Sequence, residues 1–394
     1  MIRYLTSGES HGQCLTAIIE GMPANLKINI ENINKELKKR QLGYGRGDRM
    51  KIENDRAIIL SGVRGNITLG SPIAIQIQNK DFDNWKEYMN PIGDIDLESK
   101  KVTKARPGHA DLVGALKYNF EDIRNVLERS SARETAARVA IGAICKEFLS
   151  NFNIKFTSHV VGIGQYELDK NYDFKYISDN VENSSVRCVD KFYEQKFIDE
   201  INKAKENRDT LGGIIEIRIQ NIPLGVGSYV HYDKKLDANL ALELMSIQGI
   251  KGVEFGLGFK LGKVFGSKAQ DQIYYSKEKG IYRNTNNLGG IEGGMSTGEE
   301  IIIRCVMKPI PTLYTPLNSI DINTLENYKA SVERSDNCAV PAASVVAENV
   351  CAFVIAKFFM YKFGNDNMDD ILSNYENYLE RLKEKGWIKN LKST

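Results

Sequence analysis

The chain switches repeatedly between two apolar periods, alternation at every second residue and recurrence at every third or fourth, so it should hold both strands and helices. Residues 2–5 and 14–19 read as strands around a polar, glycine-bounded turn, GESHG at 8–12. Ile30, Ile33 and Leu37 have helical spacing. Residues 58–60, 67–69 and the alternation Ile73, Ile75, Ile77 give three antiparallel strands, with turn chemistry at Gly62, Gly65 and Gly70. A helix is expected over 110–118. A second, over 132–149, is so dense in Ala and Gly that neighbours can approach its backbone closely, which makes it central and buried. Strands at 154–166, 214–219, 253–264 and 301–307 are interleaved with helices marked by Phe197, Ile198, Ile201 and Ala204, and by Leu236, Leu240, Leu244 and Met245. Residues 340–363 form a strongly apolar helix with Pro341 in its first turn, where the missing N–H has no partner to lose. Its most apolar stretch, 352–360, is short and broken by Lys357, as in a core helix rather than a membrane span.

Three stretches lack a period. Residues 81–104 are polar and irregular, a long mobile surface excursion; 172–185 are an Asp- and Asn-rich surface insertion; 280–298 hold too many Gly and Asn for regular structure. The tail, 371–385, is a charged amphipathic helix at the periphery. With no repeat and no break in composition, residues 1–394 read as one domain.

Composition adds little to this picture, since 42% hydrophobic and 26% charged residues argue only against disorder. Charge placement adds more: the net charge is +2, yet residues 38–51 carry six Lys or Arg against one acid. The six cysteines are scattered, with no C-x-x-C pair and no His at ligand spacing, so reduced thiols and no structural zinc are expected. The opening MIRYLTSGES has neither an apolar core nor an Arg/Ser-rich leader, and a cytoplasmic location is expected.

Candidate chemistry gathers at residues 129–138, RSSARETAAR. Ser131 and Glu134 fit a capping box and mark a helix start. Arg129, Arg133 and Arg138 flank the helix end that already carries partial positive charge and free N–H groups, and three cations there call for an anion. Of the four histidines, His11 and His109 lie in glycine-bounded polar turns where they can exchange protons; His159 and His231 lie in strand-like surroundings. The basic stretch 38–51 has three readings: a solvated charge run, a nucleic-acid surface supported by one aromatic, Tyr44, or a mobile loop whose Arg40, Arg46 and Arg49 fold over a small polyanion. Arg rather than Lys suits bidentate contact with carboxylate or phosphate and favours the third. The glycine cluster at 287–298 lacks the strand and helix setting of a dinucleotide fold and reads as backbone brought close to a flat or phosphorylated ligand, or as a mobile hairpin. KPIPT at 308–312 adds a cation, and Arg334 with Asp336 reads as an ion pair in one turn.

Taken in order, GESHG, RPGHADL, RSSARETAARVAIGAI, KGVEFGLGF, GGIEGGMSTG, KPIPT and RSDNCAVPA resemble chorismate synthases, over residues 6–350. The resemblance implies an α+β fold, a single-domain layered sandwich with helices between two antiparallel sheets, assembled as a homotetramer. It implies 1,4-anti-elimination of phosphate from 5-enolpyruvylshikimate 3-phosphate to give chorismate, with reduced FMN required and no net redox change. By similarity Arg129, Ser130, Ser131, Gln248, Gly249, Gly293, Lys308, Pro309, Ile310, Pro311, Thr312 and Arg334 hold FMN. Arg46, Arg49, Arg106 and Arg133 clamp the substrate, and Arg40 and Arg46 match positions assigned to NADP. His11 is the proton donor to the leaving phosphate, His109 protonates or stabilises the reduced flavin, and Asp336 assists removal of the ring hydrogen. NADPH as reductant and an external flavin reductase both stay open. Two positions depart from the family pattern: Ser335 stands where many members have His, and Gln248-Gly249 replaces a pair ending in Ala. A stand-alone NAD(P)H flavin reductase and an RNA-binding protein are the rival readings; a membrane partner is not expected.

Overall fold

The computed structural model describes residues 2–47 and 53–388; Arg49 and the rest of the basic stretch beyond residue 47 lie outside the described residues. Four strands, β1 (Arg3–Ser7), β2 (Cys14–Glu20), β3 (Ala57–Ile59) and β4 (Ile73–Gln78), make one sheet in the order β1-β2-β4-β3. Its inner face is the alternating set Leu15, Ala17, Ile19, Ile73, Ile75 and Ile77, all buried. Five more, β5 (Lys155–Ile163), β6 (Tyr166–Glu167), β7 (Gly213–Gln220), β8 (Ile250–Phe255) and β9 (Ile301–Met307), make a second sheet in the order β8-β9-β7-β5-β6. Every pairing in both sheets is antiparallel, and the chain is mixed α+β.

The helices that bear on the argument are α1 (Ile30–Gln41), α2 (Asp111–Tyr118), α3 (Arg124–Ser130), α4 (Thr135–Ser150), α5 (Phe174–Asn180), α6 (Lys191–Glu206), α7 (Leu236–Met245), α8 (Val340–Phe363) and α9 (Met368–Glu384). Helix α4 packs on β2 and β4, α8 packs on β5 and β7, and the two helices pack along each other. Their contact explains the small residues expected to matter in α4. A Cβ on Gly142 would stand 2.3 Å from the Asn349 carbonyl oxygen in α8, so no other residue fits there. Helix α8 is long and apolar enough to cross a membrane, but 94% of its most apolar window is buried inside the protein, as a core helix requires.

Between α1, α4 and α8 lies a buried ionic network. The Lys146 ammonium donates to Glu36, at 2.6 Å, and to Glu348; Asn349 Nδ2 donates to Glu36 at 2.8 Å, and Ser158 Oγ to Glu348 at 2.7 Å. Burial alone would push the Glu36 carboxyl up; Lys146 and Lys39 outweigh it and hold the group well below its ordinary 4.5.

Several expected elements differ. The run 67–69 does not join the first sheet: Ile67–Thr68 pairs with Val63–Arg64 and bridges Lys27, and the Thr68 hydroxyl is drawn inward, accepting from Leu26 N–H at 2.9 Å and donating to the Pro23 carbonyl. Residues 253–264 are strand only to Phe255; a 3₁₀ turn, Gly258–Lys263, follows. The insertion at 172–185 contains α5, which buries Phe174 and Ile177. Of 81–104, the front part turns inward, with Asp81 buried, while most of 90–100 is exposed. The glycine-rich 280–298 contains short paired strands. Helix α3 was not anticipated at all.

Because the folded value of Glu36 is depressed, its contribution is complete above about pH 4.5 and is lost as pH falls below that. Glu36→Gln should therefore destabilise the protein at neutral pH by about 1–3 kcal/mol, Lys146 keeping Glu348 as partner. It should also flatten the acid-side decline of unfolding free energy by up to about 1.4 kcal/mol per pH unit, read from urea midpoints at several pH values. Parallel curves for both proteins would contradict this.

Candidate active site

The turn between β1 and β2 is held open by Gly8, whose φ of +104° and whose Cβ position 2.3 Å from the Cys14 carbonyl oxygen admit only glycine. Asn79, just after β4, pins this turn by donating from Nδ2 to the carbonyls of Glu9, at 3.1 Å, and Gly12, at 2.7 Å. The turn then rests on α3. Ser10 N–H donates to the Glu128 carbonyl at 2.9 Å, and His11 N–H donates to the Glu128 carboxylate at 2.8 Å, with His11 Nδ1 2.9 Å from the other oxygen. Trp85 lies flat on the His11 ring, centroids 4.0 Å apart and planes 25° off parallel. Ser10 Oγ is 3.1 Å from Ser131 Oγ, which joins the turn to the start of α4.

That start is not a reciprocal capping box. Ser131 Oγ accepts from Arg133 N–H at 3.3 Å, and the Glu134 carboxylate goes to Thr6, Arg138 and Gln248 instead. A short 3₁₀ turn, Ala132–Glu134, leads into α4. Nor do the three arginines all wait for an external anion. Arg133 grips Asp55 with Nη1 at 2.6 and 2.7 Å and donates from Nε to Asn79 at 2.9 Å. Arg138 donates to Glu134 at 3.1 Å. Among the described residues Arg129, which is exposed, meets no carboxylate; it donates to the Thr6 carbonyl at 2.7 Å, the Thr6 hydroxyl at 2.9 Å and the Gly8 carbonyl at 3.2 Å.

The same internal pairing recurs around the turn. Arg40, 4% exposed, donates to Thr135 Oγ1 and the Ala132 carbonyl and stands 3.5 Å from Asp55; burial pushes its guanidinium down to about 9, against the pull of Asp55. Arg46 Nε is 3.1 Å from Asp336, which also accepts from Gly47 N–H at 2.6 Å. Arg334 reaches Asp81 at 2.6 Å. In the loop before α2, Arg106 spans Asp111, Nε at 2.8 Å and Nη2 at 3.0 Å, and donates from Nη1 to Thr312 Oγ1 at 3.0 Å. His109 Nδ1 also sits on Asp111, which is fully buried. Burial would raise the Asp111 carboxyl, but the bonds from His109 and Arg106 outweigh it and hold it far below the usual carboxylate range.

A second group is not neutralised in this way. From Arg129 a continuous set of contacts runs through Thr6 and Glu134 to Gln248, whose neighbour Gly249 accepts from Lys308 N–H at 2.9 Å. Lys308 Nζ donates to the Gly108 carbonyl, next to His109; burial and the nearby Lys251 lower its ammonium. Ser130 Oγ, in the residue after Arg129, and Gln248 Oε1 are buried with no hydrogen-bond partner among the described residues, a costly state unless a ligand completes them.

A sequence model of the chorismate synthase family matches residues 2–360. This chain belongs to the chorismate synthase family. It is 57% identical over 378 residues to the chorismate synthase of Alkaliphilus metalliredigens, covering 96% of this chain and 99% of that one. It is 54% identical over 376 residues to that of Staphylococcus epidermidis, covering 94% and 97%. A crystal structure of a chorismate synthase superposes with a TM-score of 0.78 at 42% identity, covering 97% of this chain and 98% of that one.

Among the residues that the family resemblance names, His11, Arg129, Ser130, Ser131 and Arg133 lie at one junction, the turn after β1 against α3 and the start of α4. His109, Arg106, Lys308 and Thr312 lie at a second, reached through Gln248 and Gly249. Pro309, Ile310 and Pro311 complete the loop after β9, where the Ile310 carbonyl accepts from Thr210 Oγ1. Gly293 is elsewhere, exposed on the hairpin Ile291–Ser296 beside Tyr229 and Met295. Residues that sequence reasoning missed are the partners: Asp55, Asn79, Asp81, Trp85, Asp111 and Glu128. Only Asp111 carried a local signal, two residues after His109.

Asp55, 2% exposed, faces both Arg133 and Arg40, so Asp55→Asn leaves two buried guanidinium groups on a neutral amide, with the Glu53 carboxylate, 3.9 Å from Arg133 Nη2, as a remaining anion. The expected loss is about 3–5 kcal/mol, read as a lower urea midpoint at unchanged m-value. A loss under about 1 kcal/mol would mean that these arginines find other anions.

Proposed function

We propose that this chain converts 5-enolpyruvylshikimate 3-phosphate to chorismate and phosphate by 1,4-anti-elimination, with reduced FMN bound and no net redox change. The observation that carries this reading is identity of more than half the residues, end to end, with a protein named for that activity. The chemistry that bound reduced FMN supplies is transient electron density for the allylic C–O bond as phosphate departs. The residues present fit such a group: Ser130 Oγ and Gln248 Oε1, unpartnered among the described residues, with Arg129 and Lys308, which meet no carboxylate among them, supply donors, acceptors and charge for a phosphorylated ligand. Ser131, Gly249, Arg334 and the loop from Pro309 to Thr312 belong to the same proposed set; Gly293, exposed on the hairpin Ile291–Ser296, belongs to it by family resemblance alone.

On this reading His11 gives a proton to the leaving phosphate oxygen, and His109, held on Asp111, protonates or stabilises the reduced flavin. Asp336 assists removal of the ring hydrogen; it is held in place by Arg46 Nε at 3.1 Å and by Gly47 N–H at 2.6 Å. Arg46, Arg106, Arg133 and Arg49 are the proposed contacts to the substrate's anionic groups, where charge develops as phosphate leaves; Arg46, Arg106 and Arg133 are bonded here to Asp336, Asp111 and Asp55, so each would share or exchange that carboxylate for the substrate. Arg40 and Arg46 are the proposed NADP contacts; Arg40 faces inward here, so its contact requires rearrangement. We further propose one domain over 1–394, a layered sandwich supported by the packing of α4 and α8 between the two sheets, a homotetramer and a cytoplasmic location. NADPH or an external flavin reductase would supply the reducing equivalents.

Under anaerobic conditions with chemically reduced FMN, the protein should release phosphate from the shikimate ester. His11→Ala and His109→Ala should each lower turnover by roughly 10²-fold or more, with FMN affinity little changed. NADPH oxidation without phosphate release would instead support a flavin reductase, and unchanged turnover in both variants would remove the histidines from the mechanism.

A further inference from the structure

The His11 ring is fixed on two sides by groups outside the proposed catalytic set. Glu128 accepts both the His11 backbone N–H, at 2.8 Å, and the contact from Nδ1, at 2.9 Å. Its carboxylate is 2% exposed and also stands 3.3 Å from Arg124 Nη1. Burial would raise this carboxyl, but His11 and Arg124 outweigh burial and hold it below its ordinary value, so it is ionised whenever the enzyme is at neutral pH. An ionised carboxylate has no proton to give. The hydrogen on the Glu128 side must therefore belong to Nδ1, and Nε2 takes no partner among the described residues. Trp85 covers the ring face at 4.0 Å and is itself approached by the Arg124 guanidinium, 5.1 Å from its centroid. Arg124 thus touches both restraints, and its other Nη donates to Glu333 at 3.2 Å. Turning the imidazole over would break the Nδ1 bond.

We infer that Glu128 is a positioning residue for the elimination: it keeps the His11 proton on Nδ1 in the neutral ring, so that Nε2 is the nitrogen that delivers a proton to the departing phosphate, while Trp85 keeps the ring from rotating. This rests on the reading of His11 as the proton donor. The balance is simple: imidazolium Nε2–H gives its proton to the phosphate oxygen as the C–O bond breaks, leaving neutral His11 with Nδ1–H still bound to Glu128. Sequence offers no hint of the pairing, since the two residues lie 117 positions apart.

The test is nitrogen NMR of the full-length protein labelled at its four histidines, with His11→Asn identifying the His11 signals. In the wild type the neutral His11 ring should carry its proton on Nδ1; a proton on Nε2 overturns the inference without any variant. Glu128→Gln offers Nδ1 an amide that can donate as well as accept, and should move population to the Nε2–H form. It should lower kcat on the order of 10²-fold with little change in KM. Glu128→Asp should recover part of that loss, and Trp85→Phe, which keeps a stacked ring, should leave the tautomer on Nδ1. If Glu128→Gln leaves the tautomer unmoved, Glu128 does not set it and the inference falls. If the tautomer moves while kcat stays constant, the inference falls together with the role of His11 as donor, whereas a wild type that releases no phosphate overturns the proposed function first, and the role of Glu128 in the elimination with it.

Discussion

A guanidinium taken out of water must end on an anion, and the site is organised by that requirement. Removing a charge from solvent costs several kcal/mol unless its partner is well placed. The buried arginines accordingly come with carboxylates: Arg133 with Asp55, Arg106 with Asp111, Arg46 with Asp336, Arg124 with Glu128. These pairs fix the shape of the loops that carry His11 and His109. They also neutralise most of the positive charge that the sequence places near the start of α4. Among the described residues, the exposed Arg129 and the half-buried Lys308 meet no carboxylate, and Ser130 Oγ, next in the chain to Arg129, and Gln248 Oε1 have no hydrogen-bond partner.

The two proposed catalytic histidines repeat one device at two places. Each lies in a glycine-bounded turn, and each sets Nδ1 against a buried carboxylate that an arginine also grips. Such a carboxylate fixes ring orientation and tautomer together, which a solvent-exposed histidine lacks. The device depends on the sheets only through their loops: the turn after β1, the segment after β4 and the strand β9 leading to 308–312 bring the pieces near α3 and α4.

Much of this frame is legible in the residues. The apolar patterns of α4 and α8 are long, and Gly142 facing Asn349 explains why one of them is rich in small residues. His11 and His109 stand out because glycine breaks the chain around them. Short elements are harder to read: a two-residue strand such as Ile67–Thr68 is too brief to show a period, and one hydroxyl in it is turned inward. In α5 only Phe174 and Ile177 are apolar enough to reach the core, and the Asp and Asn around them mask the helix. The partners of the arginines were invisible for a different reason. Asp55 lies 78 positions from Arg133, and no local pattern marks a carboxylate that will be buried by tertiary contact. The motif resemblance named the arginines and histidines without naming what holds them.

Among the described residues Arg129 and Lys308 meet no carboxylate, which on the proposed function leaves them, with Ser130 Oγ, for the phosphate of bound FMN. Absorbance titrations of the protein with FMN and with riboflavin, which lacks the phosphate, test it directly. FMN should bind at least about tenfold more tightly, a difference of about 1.4 kcal/mol, and Arg129→Ala should remove most of that preference. Equal affinity for the two flavins in the wild type would contradict it.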